Sequence, residues 1–334
     1  MNHADVQSFE RFRAPILGEL EDLERAFRST LRSDIPIIQE ICAAIARSPG
    51  KRIRPGIVLL ASRCAGGDPD AAGTAGLAVE LIHTATLLHD DIIDGHMVRR
   101  GRPTVYARWG ATAATIMGDF LYSRAFTCLG EAGLEEIMAL LARVTNEMSV
   151  GEMIQLQHRR DIDIGEQGYM ELIHRKTAAL FCAAAECGAL TGRGAQRHRE
   201  GLAGYGENVG LAFQITDDLI DYLAPDRSVG KPVASDLAEG RITLPFIVAY
   251  REAPAERRRR VEELFRGGVY PERDWEEVVG FVRDFGGIDY SLRTAEELGR
   301  RAKDALDGIG PCPERDALCV AADYIVDRVR SYAG

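Results

Sequence analysis

Apolar residues recur at three- and four-residue intervals along almost the whole chain, and the two-residue alternation of a half-buried strand is scarce. This pattern predicts helices over about 6–31, 34–47, 53–65, 70–98, 111–130, 133–158, 167–192, 196–223 and 242–251, with shorter ones towards the end. Turn signals set the boundaries: Ser48-Pro49-Gly50, Gly66-Gly67-Asp68-Pro69, Gly101-Arg102-Pro103, Gly192-Arg193-Gly194 and Pro225-Asp226. The stretches 170–190 and 200–222 are apolar nearly all round, which places them inside a bundle rather than on its surface. No 30-to-50-residue period repeats, which argues against a solenoid. The expectation is an all-α fold, a single-domain helical bundle over 1–334 around a central cavity.

Two of the long helices end in the same device. Asp90-Asp91-Ile92-Ile93-Asp94 closes VELIHTATLLHDDIID, and Asp217-Asp218-Leu219-Ile220-Asp221 closes NVGLAFQITDDLID. On a helix, positions i, i+1 and i+4 share roughly one face, so each pentad gathers three carboxylates. Like charges at that spacing repel, and negative charge near a helix C-terminus opposes the macrodipole. A lone pentad reads equally well as a solvated acidic face. Two identical ones on matching apolar helices need cations against them. Oxygen-only ligands suit Mg²⁺, which retains waters and bridges few carboxylates to phosphate oxygens. The economical arrangement has the pentads facing each other across the cavity.

Composition narrows the alternatives. With 46% hydrophobic and 28% charged residues the chain is ordinarily globular. A net charge of -10 disfavours a nucleic-acid surface, and the basic run Arg257 to Arg260 is flanked by glutamates. The seven cysteines form no C-x-x-C pair and read as buried free thiols of a reducing compartment. The first residues lack the pattern of a signal peptide, and no uninterrupted apolar run reaches the roughly 18–20 residues of a membrane span. The expected location is cytoplasmic.

Cations surround the pentads in turn-like contexts. Lys51 and Arg54 lie in SPGKRIRP, Arg99 and Arg100 in VRRGRPT, Lys176 and Thr177 in IHRKTAAL, and Lys231 in SVGKP. Any one of them is ordinarily a surface residue. Together with two Asp triads they make a diphosphate site, because guanidinium forks and ammonium charges are what phosphate oxygens accept.

The ordered set GKRIRP, ELIHTATLLHDDIIDGHMVRRGRPT, GDFLYSRAF, KTAALF, FQITDDLID and GKPVASDLAEGRITLP resembles the trans-isoprenyl diphosphate synthases, or polyprenyl synthetases, from about 49 to 245. The resemblance is strongest to long-chain members such as octaprenyl diphosphate synthases. It implies an isoprenoid synthase fold and sequential head-to-tail addition of isopentenyl diphosphate to an allylic diphosphate such as farnesyl diphosphate. In that family's terms Asp90, Asp91, Asp94, Asp217, Asp218 and Asp221 would hold about three Mg²⁺. Arg99, Lys176, Thr177, Gln214 and Lys231 would bind the allylic diphosphate, and Lys51, Arg54, His83 and Arg100 isopentenyl diphosphate. Lys176 and Lys231 count with the Asp residues as catalytic, because they neutralise the leaving group. His89 is expected to be structural. Pro49 replaces a frequent family Gly, and Arg241 stands where short-chain members often have Lys. The resemblance further implies a homodimer using 111–130, a membrane destination for the product and a role in quinone side-chain biosynthesis.

Product length follows from the tunnel beyond the first pentad. Ala85 and Thr86, five and four residues before Asp90, lie about one turn back; they are small where short-chain members carry Phe or Tyr, and the resemblance then implies a long product, roughly six to ten isoprene units. Met117, Leu121, Leu141 and Met148 are candidates for a deeper floor. Alternatives are a geranylgeranyl or farnesyl diphosphate synthase and, remotely, a His-Asp phosphohydrolase built on His83, His89 and Asp90. The last leaves the second pentad and the Lys/Arg set unexplained.

Overall fold

The computed structural model describes residues 3–47, 50–192, 196–223, 235–266 and 272–332, and it is helical throughout apart from one small hairpin. The first half comprises α1 (His3–Arg13), α2 (Leu17–Thr30), α3 (Pro36–Ala46), α4 (Ile53–Cys64), α5 (Pro69–Ile93), α6 (Val105–Glu131) and α7 (Glu135–Gln157). The second comprises α8 (Gly165–Ile173), α9 (Ala179–Leu190), α10 (Gln196–Leu223), α11 (Ser235–Ala238), α12 (Leu244–Glu252), α13 (Ala255–Arg266), α14 (Glu272–Asp284), α15 (Gly287–Asp304) and α16 (Pro313–Asp327). The two pentad-bearing helices, α5 and α10, both pack on α9; α5 also packs on α4 and α6, and α10 on α15 and α16. The core is continuous from Phe12 and Phe27 through Leu81, Phe181 and Tyr205 to Phe281 and Val329.

Helix α5 begins where Asp68 caps the amides of Asp70 and Ala71, each at 2.9 Å, with Pro69 in the first turn. By length and composition it is long and apolar enough to cross a membrane, but 61% of its apolar stretch is buried inside the protein.

Four expectations need correction. The helix drawn over 6–31 is broken by a 3-10 turn at Ala14–Ile16, because Pro15 cannot continue an α-helical ladder. The helix drawn to 98 stops at Ile93: Asp94 is its C-cap, and Gly95 follows at φ 67, the left-handed stop that glycine favours. Beyond it, β1 (Val98–Arg99) and β2 (Arg102–Pro103) pair antiparallel around Arg100 and Gly101, both at positive φ as a tight hairpin loop requires. Helix α6 starts at Val105 rather than 111, capped by Thr104 and kinked at Gly110. Among the cysteines, all free, only Cys42 and Cys187 are fully buried; the rest are half-buried.

Candidate active site

Two cavities meet where α5 and α10 end. The smaller, about 370 Å³, is lined by Asp90 and Asp94 of the first pentad and Asp217, Asp218 and Asp221 of the second. The larger, about 1150 Å³, is lined by Lys51, Arg54, His83 and Arg100, and again by Asp90 and Asp217. Arg99, Lys176, Thr177 and Gln214 line both. Sequence-distant acids and cations thus converge at one junction. Lys231 lies outside the described residues.

Within the first pentad the three carboxylates do not share one face. Asp91 is turned about 100° around the helix from Asp90, is buried, and lines only the larger cavity. Arg99 of the hairpin donates to its Oδ1 at 2.7 Å. In the second pentad Asp218 is buried and accepts from Tyr169 at 2.6 Å and Gln214 at 2.7 Å. Thr177 donates to that Gln214 at 2.8 Å, which joins α9's approach to α10. The amide of Asp236 donates to Asp221 at 3.0 Å.

Lys176 and Thr177 sit in a π-helical turn, His174–Ala178, between α8 and α9. Such single turns, with their extra residue, redirect side chains and recur at functional sites. Gly151 of α7 makes room for it, since a Cβ there would lie 2.8 Å from the Lys176 amide. Lys176 contacts Glu152 at 2.5 Å and donates to Gln155 at 3.1 Å.

Electrostatics mark the junction as a cation site. Asp90 opens onto the cavity, yet the surrounding protein withdraws it from bulk water and pushes its pKa up to about 6, with Lys176 opposing and Glu152 adding to the rise. Burial pushes Asp218 well above the carboxylate range, and Asp236 adds to it. Three carboxylates hold guanidinium partners: Asp91 with Arg99 at 2.7 Å, Asp94 with Arg241 at 3.1 Å, and Asp217 with Arg328 at 2.8 Å. A cluster of carboxylates, three of them with raised pKa values and three of them holding guanidinium partners, is a donor set fitted to hard divalent cations. Asp94, His96 and Glu239 beside them also place one donor atom each within 4.8 Å of one another.

A stability consequence follows. Asp90 binds its proton more tightly folded, at about 6, than at its ordinary 3.8, so its contribution to stability is whole below about pH 4 and is lost as pH rises through 6. With divalent metals chelated, Asp90→Asn should therefore match the parent near pH 4 and exceed it above pH 7 by on the order of 2 kcal/mol. Urea melts at both pH values measure this. A mutant less stable at pH 7 would contradict it.

In the larger cavity Arg54 is stacked 4.1 Å from the Phe181 ring centre, and its Nη1 donates to His83 Nε2 at 3.3 Å. Its Nε is buried without a hydrogen-bond partner among the described residues. Burial lowers the Arg54 pKa to about 10 and, with Arg54 and Arg100 adding to it, holds His83 well below the usual histidine range. His83 is therefore neutral near pH 7. Lys51 donates to the Tyr324 hydroxyl at 2.7 Å.

Several expectations about side chains are revised. Ala85 is fully buried and lines neither cavity, whereas Thr86 lines the larger one. Ala85 lies about 140° around α5 from Asp90, and Thr86 only about 40°. Of the deeper floor candidates only Met148 lines the cavity; Met117, Leu121 and Leu141 are core. His89 bonds the Thr115 carbonyl at 3.2 Å and packs over Gly118, as a structural residue would, while also lining the larger cavity. The His-Asp phosphohydrolase constellation gains nothing from it. Arg241 contacts Asp94, Asp236 at 2.6 Å and Glu239 at 2.5 Å, so its fork holds acids together. Arg328, Tyr169, Glu152 and Tyr324 were not singled out from the sequence, and nothing local in their segments signals the site.

The polyprenyl synthetase family model matches residues 35–281. The chain belongs to the polyprenyl synthetase family. It is 34% identical over 328 residues to the octaprenyl diphosphate synthase of Haemophilus influenzae, covering 98% of this chain and 99% of that protein. It is 38% identical over 284 residues to a short chain isoprenyl diphosphate synthase of Methanothermobacter thermautotrophicus, covering 84% and 86%. In fold it matches the Caulobacter crescentus polyprenyl synthase complexed with calcium and isoprenyl diphosphate, at a TM-score of 0.91 and 33% identity, covering 96% of this chain and 98% of that one. The protein is thus an all-α prenyltransferase of this family.

Proposed function

We propose that the protein is a long-chain all-trans polyprenyl diphosphate synthase, one catalytic domain that adds isopentenyl diphosphate repeatedly to an allylic diphosphate and releases diphosphate. Farnesyl diphosphate is the proposed primer. The observation that carries this reading is the junction itself: an acidic cavity and a cationic one share Asp90, Arg99, Lys176 and Asp217. Two anionic substrates bound side by side need just such a divided site. Asp90, Asp94, Asp217, Asp218 and Asp221, the pentad carboxylates of the smaller cavity, would hold about three Mg²⁺, which when bound supply neutralisation of the leaving diphosphate, while Asp91 holds Arg99. Arg99, Lys176, Thr177 and Gln214 line its seat, and Lys231 joins them by its motif. Lys51, Arg54, His83 and Arg100 hold isopentenyl diphosphate close to the ionising carbon. No side chain is assigned as general base, since the departing diphosphate accepts the proton. The apolar wall of the larger cavity, Thr86, Leu87 and Met148 included, excludes water from the allylic cation and receives the growing chain.

A shorter product is the second reading, because Tyr122 and Met148 line that same cavity and offer bulk. Incubation with Mg²⁺, farnesyl diphosphate and labelled isopentenyl diphosphate, followed by chromatographic sizing, tests both. Products of roughly six or more isoprene units support the first, four units or fewer the second, and no Mg²⁺-dependent product refutes both. The proposed location is cytoplasmic, with the product passed to a membrane for quinone side-chain assembly.

Lys51→Ala and Arg100→Ala should each raise the KM for isopentenyl diphosphate roughly ten- to a hundredfold, the loss of one charge-assisted contact, while the allylic KM stays near its parent value. Steady-state kinetics with each substrate varied in turn would show it. Equal rises in both constants would dissolve the division into two pockets.

The protein should also be a homodimer through the outer face of α6 and α7. Ile116 and Met153 are 60% and 65% exposed there, an unusual outlay of apolar surface beside Val150. Sedimentation at micromolar concentration should give a dimer that Ile116→Arg dissociates; an active monomeric parent would refute the assignment.

A further inference from the structure

Between Lys51 and Arg54 lies a further cation, Arg52, which also lines the larger cavity but has so far been given no task. Arg52 is a non-glycine residue at φ 53, ψ 36, in the left-handed region, and directly precedes α4. An L-residue adopts that conformation at a cost, so something must hold it there. Its side chain is 13% exposed and its fork is committed to two carboxylates. Nε and Nη2 meet Glu24 Oε2 of α2 at 3.0 and 2.9 Å, and Nη1 meets Glu80 of α5. The guanidinium also stacks 4.8 Å from the Phe27 ring centre. Gly50 clears its path, since a Cβ there would lie 2.8 Å from Arg52 Nη1. Burial works against the charge of Arg52, but Glu80 and Glu24 hold its pKa above the ordinary arginine value. Two helices far apart in sequence, α2 and α5, thus grip one turn, and the residues flanking that turn both line the larger cavity.

We infer that Arg52 is a positioning residue of the isopentenyl diphosphate pocket: Glu24 and Glu80 clamp its guanidinium, and the clamped left-handed turn aims Lys51 and Arg54 into the cavity. This rests on the reading of that cavity given under Proposed function. Glu24 lines neither cavity, so its effect on substrate passes through Arg52.

Sign separates positioning from simple charge. Removing a carboxylate near a cationic pocket should strengthen anion binding if charge alone mattered. Under the clamp, Glu24→Gln should instead raise the KM for isopentenyl diphosphate about three- to tenfold, with kcat and the allylic KM within about twofold. Arg52→Gly retains the left-handed turn without strain and removes only the fork, so it should raise the same KM about tenfold or more. Adding Glu24→Gln to Arg52→Gly should have no further effect. Arg52→Lys keeps the charge but cannot span both carboxylates, and should behave like Arg52→Gly.

The experiment measures both KM values, kcat and the melting temperature for these variants beside Lys51→Ala. An unchanged or lowered KM in Glu24→Gln, full rescue by Arg52→Lys, or additive effects in the double variant would overturn the clamp. So would a fall in melting temperature with both KM values and kcat impaired alike. Should Arg52→Gly fail to fold, Glu24→Gln on the half-buried face of α2 still decides. If Lys51→Ala leaves the isopentenyl KM untouched, the pocket assignment itself is wrong; if it raises that KM while Glu24→Gln does not, only the clamp is.

Discussion

Asp90→Ala and Asp217→Ala should each lower kcat roughly a thousandfold or more at saturating Mg²⁺ while leaving the helical fold intact. Asp90 and Asp217 are the two pentad carboxylates that line both cavities, so on the proposed reading each stands where the reacting ends of the two substrates would meet. The fold survives because neither side chain holds the core together. Asp217 is about half exposed at α10's end, where it pairs with Arg328, and Asp90 resists ionisation in its own surroundings. A structural carboxylate would give the opposite pattern, a lost melting transition with proportionate activity. Far-UV circular dichroism, a melting curve and single-turnover rates with Mg²⁺ varied separate the two. A variant that turns over near the parent rate at saturating Mg²⁺ would end the two-pentad reading.

The bundle and the pentads were legible because they depend on near-neighbour spacing. An apolar period of 3.6 survives every packing detail, and acids at i, i+1 and i+4 must sit near one another on any helix. Short-range exceptions were harder. Gly95 after the first pentad was a readable stop, and missing it hid the hairpin that aims Arg99 at Asp91. The π turn carrying Lys176 and Thr177 was not readable, because one extra residue in a long apolar helix leaves the periodicity almost unchanged. Long-range partners were least accessible. Arg328 reaches Asp217, 111 positions earlier in the chain, only because α16 packs on α10. Glu24, in the second helix, shows no sign in its own segment of the turn it holds. Arg241 stands where short-chain members often have Lys, and nothing in that motif tells that its fork joins Asp94, Asp236 and Glu239.

Chain length offers the sharpest expected contrast, because two adjacent residues of α5 should respond in opposite ways. Thr86→Phe should shorten the product to three or four isoprene units, whereas Ala85→Phe should destabilise the protein and leave product size unchanged. Thr86 lines the larger cavity on the same side of α5 as His83 and Asp90. A ring there fills space the tail needs after its first units. If each further addition carries about 1–3 kcal/mol of overpacking, it slows roughly 5- to 150-fold, and successive additions compound until long products vanish. The first condensations, which need only the junction, should continue. Ala85 has no exposed surface and packs in the interior that α5 shares with its neighbours. A ring at that site has no cavity to enter and should cost about 1–3 kcal/mol of stability with a matching loss of all activity. Product chromatograms and melting curves for both variants read this directly. If Ala85→Phe, well folded and active, were the variant that truncates the product while Thr86→Phe did not, the growing chain would run along the other face of α5.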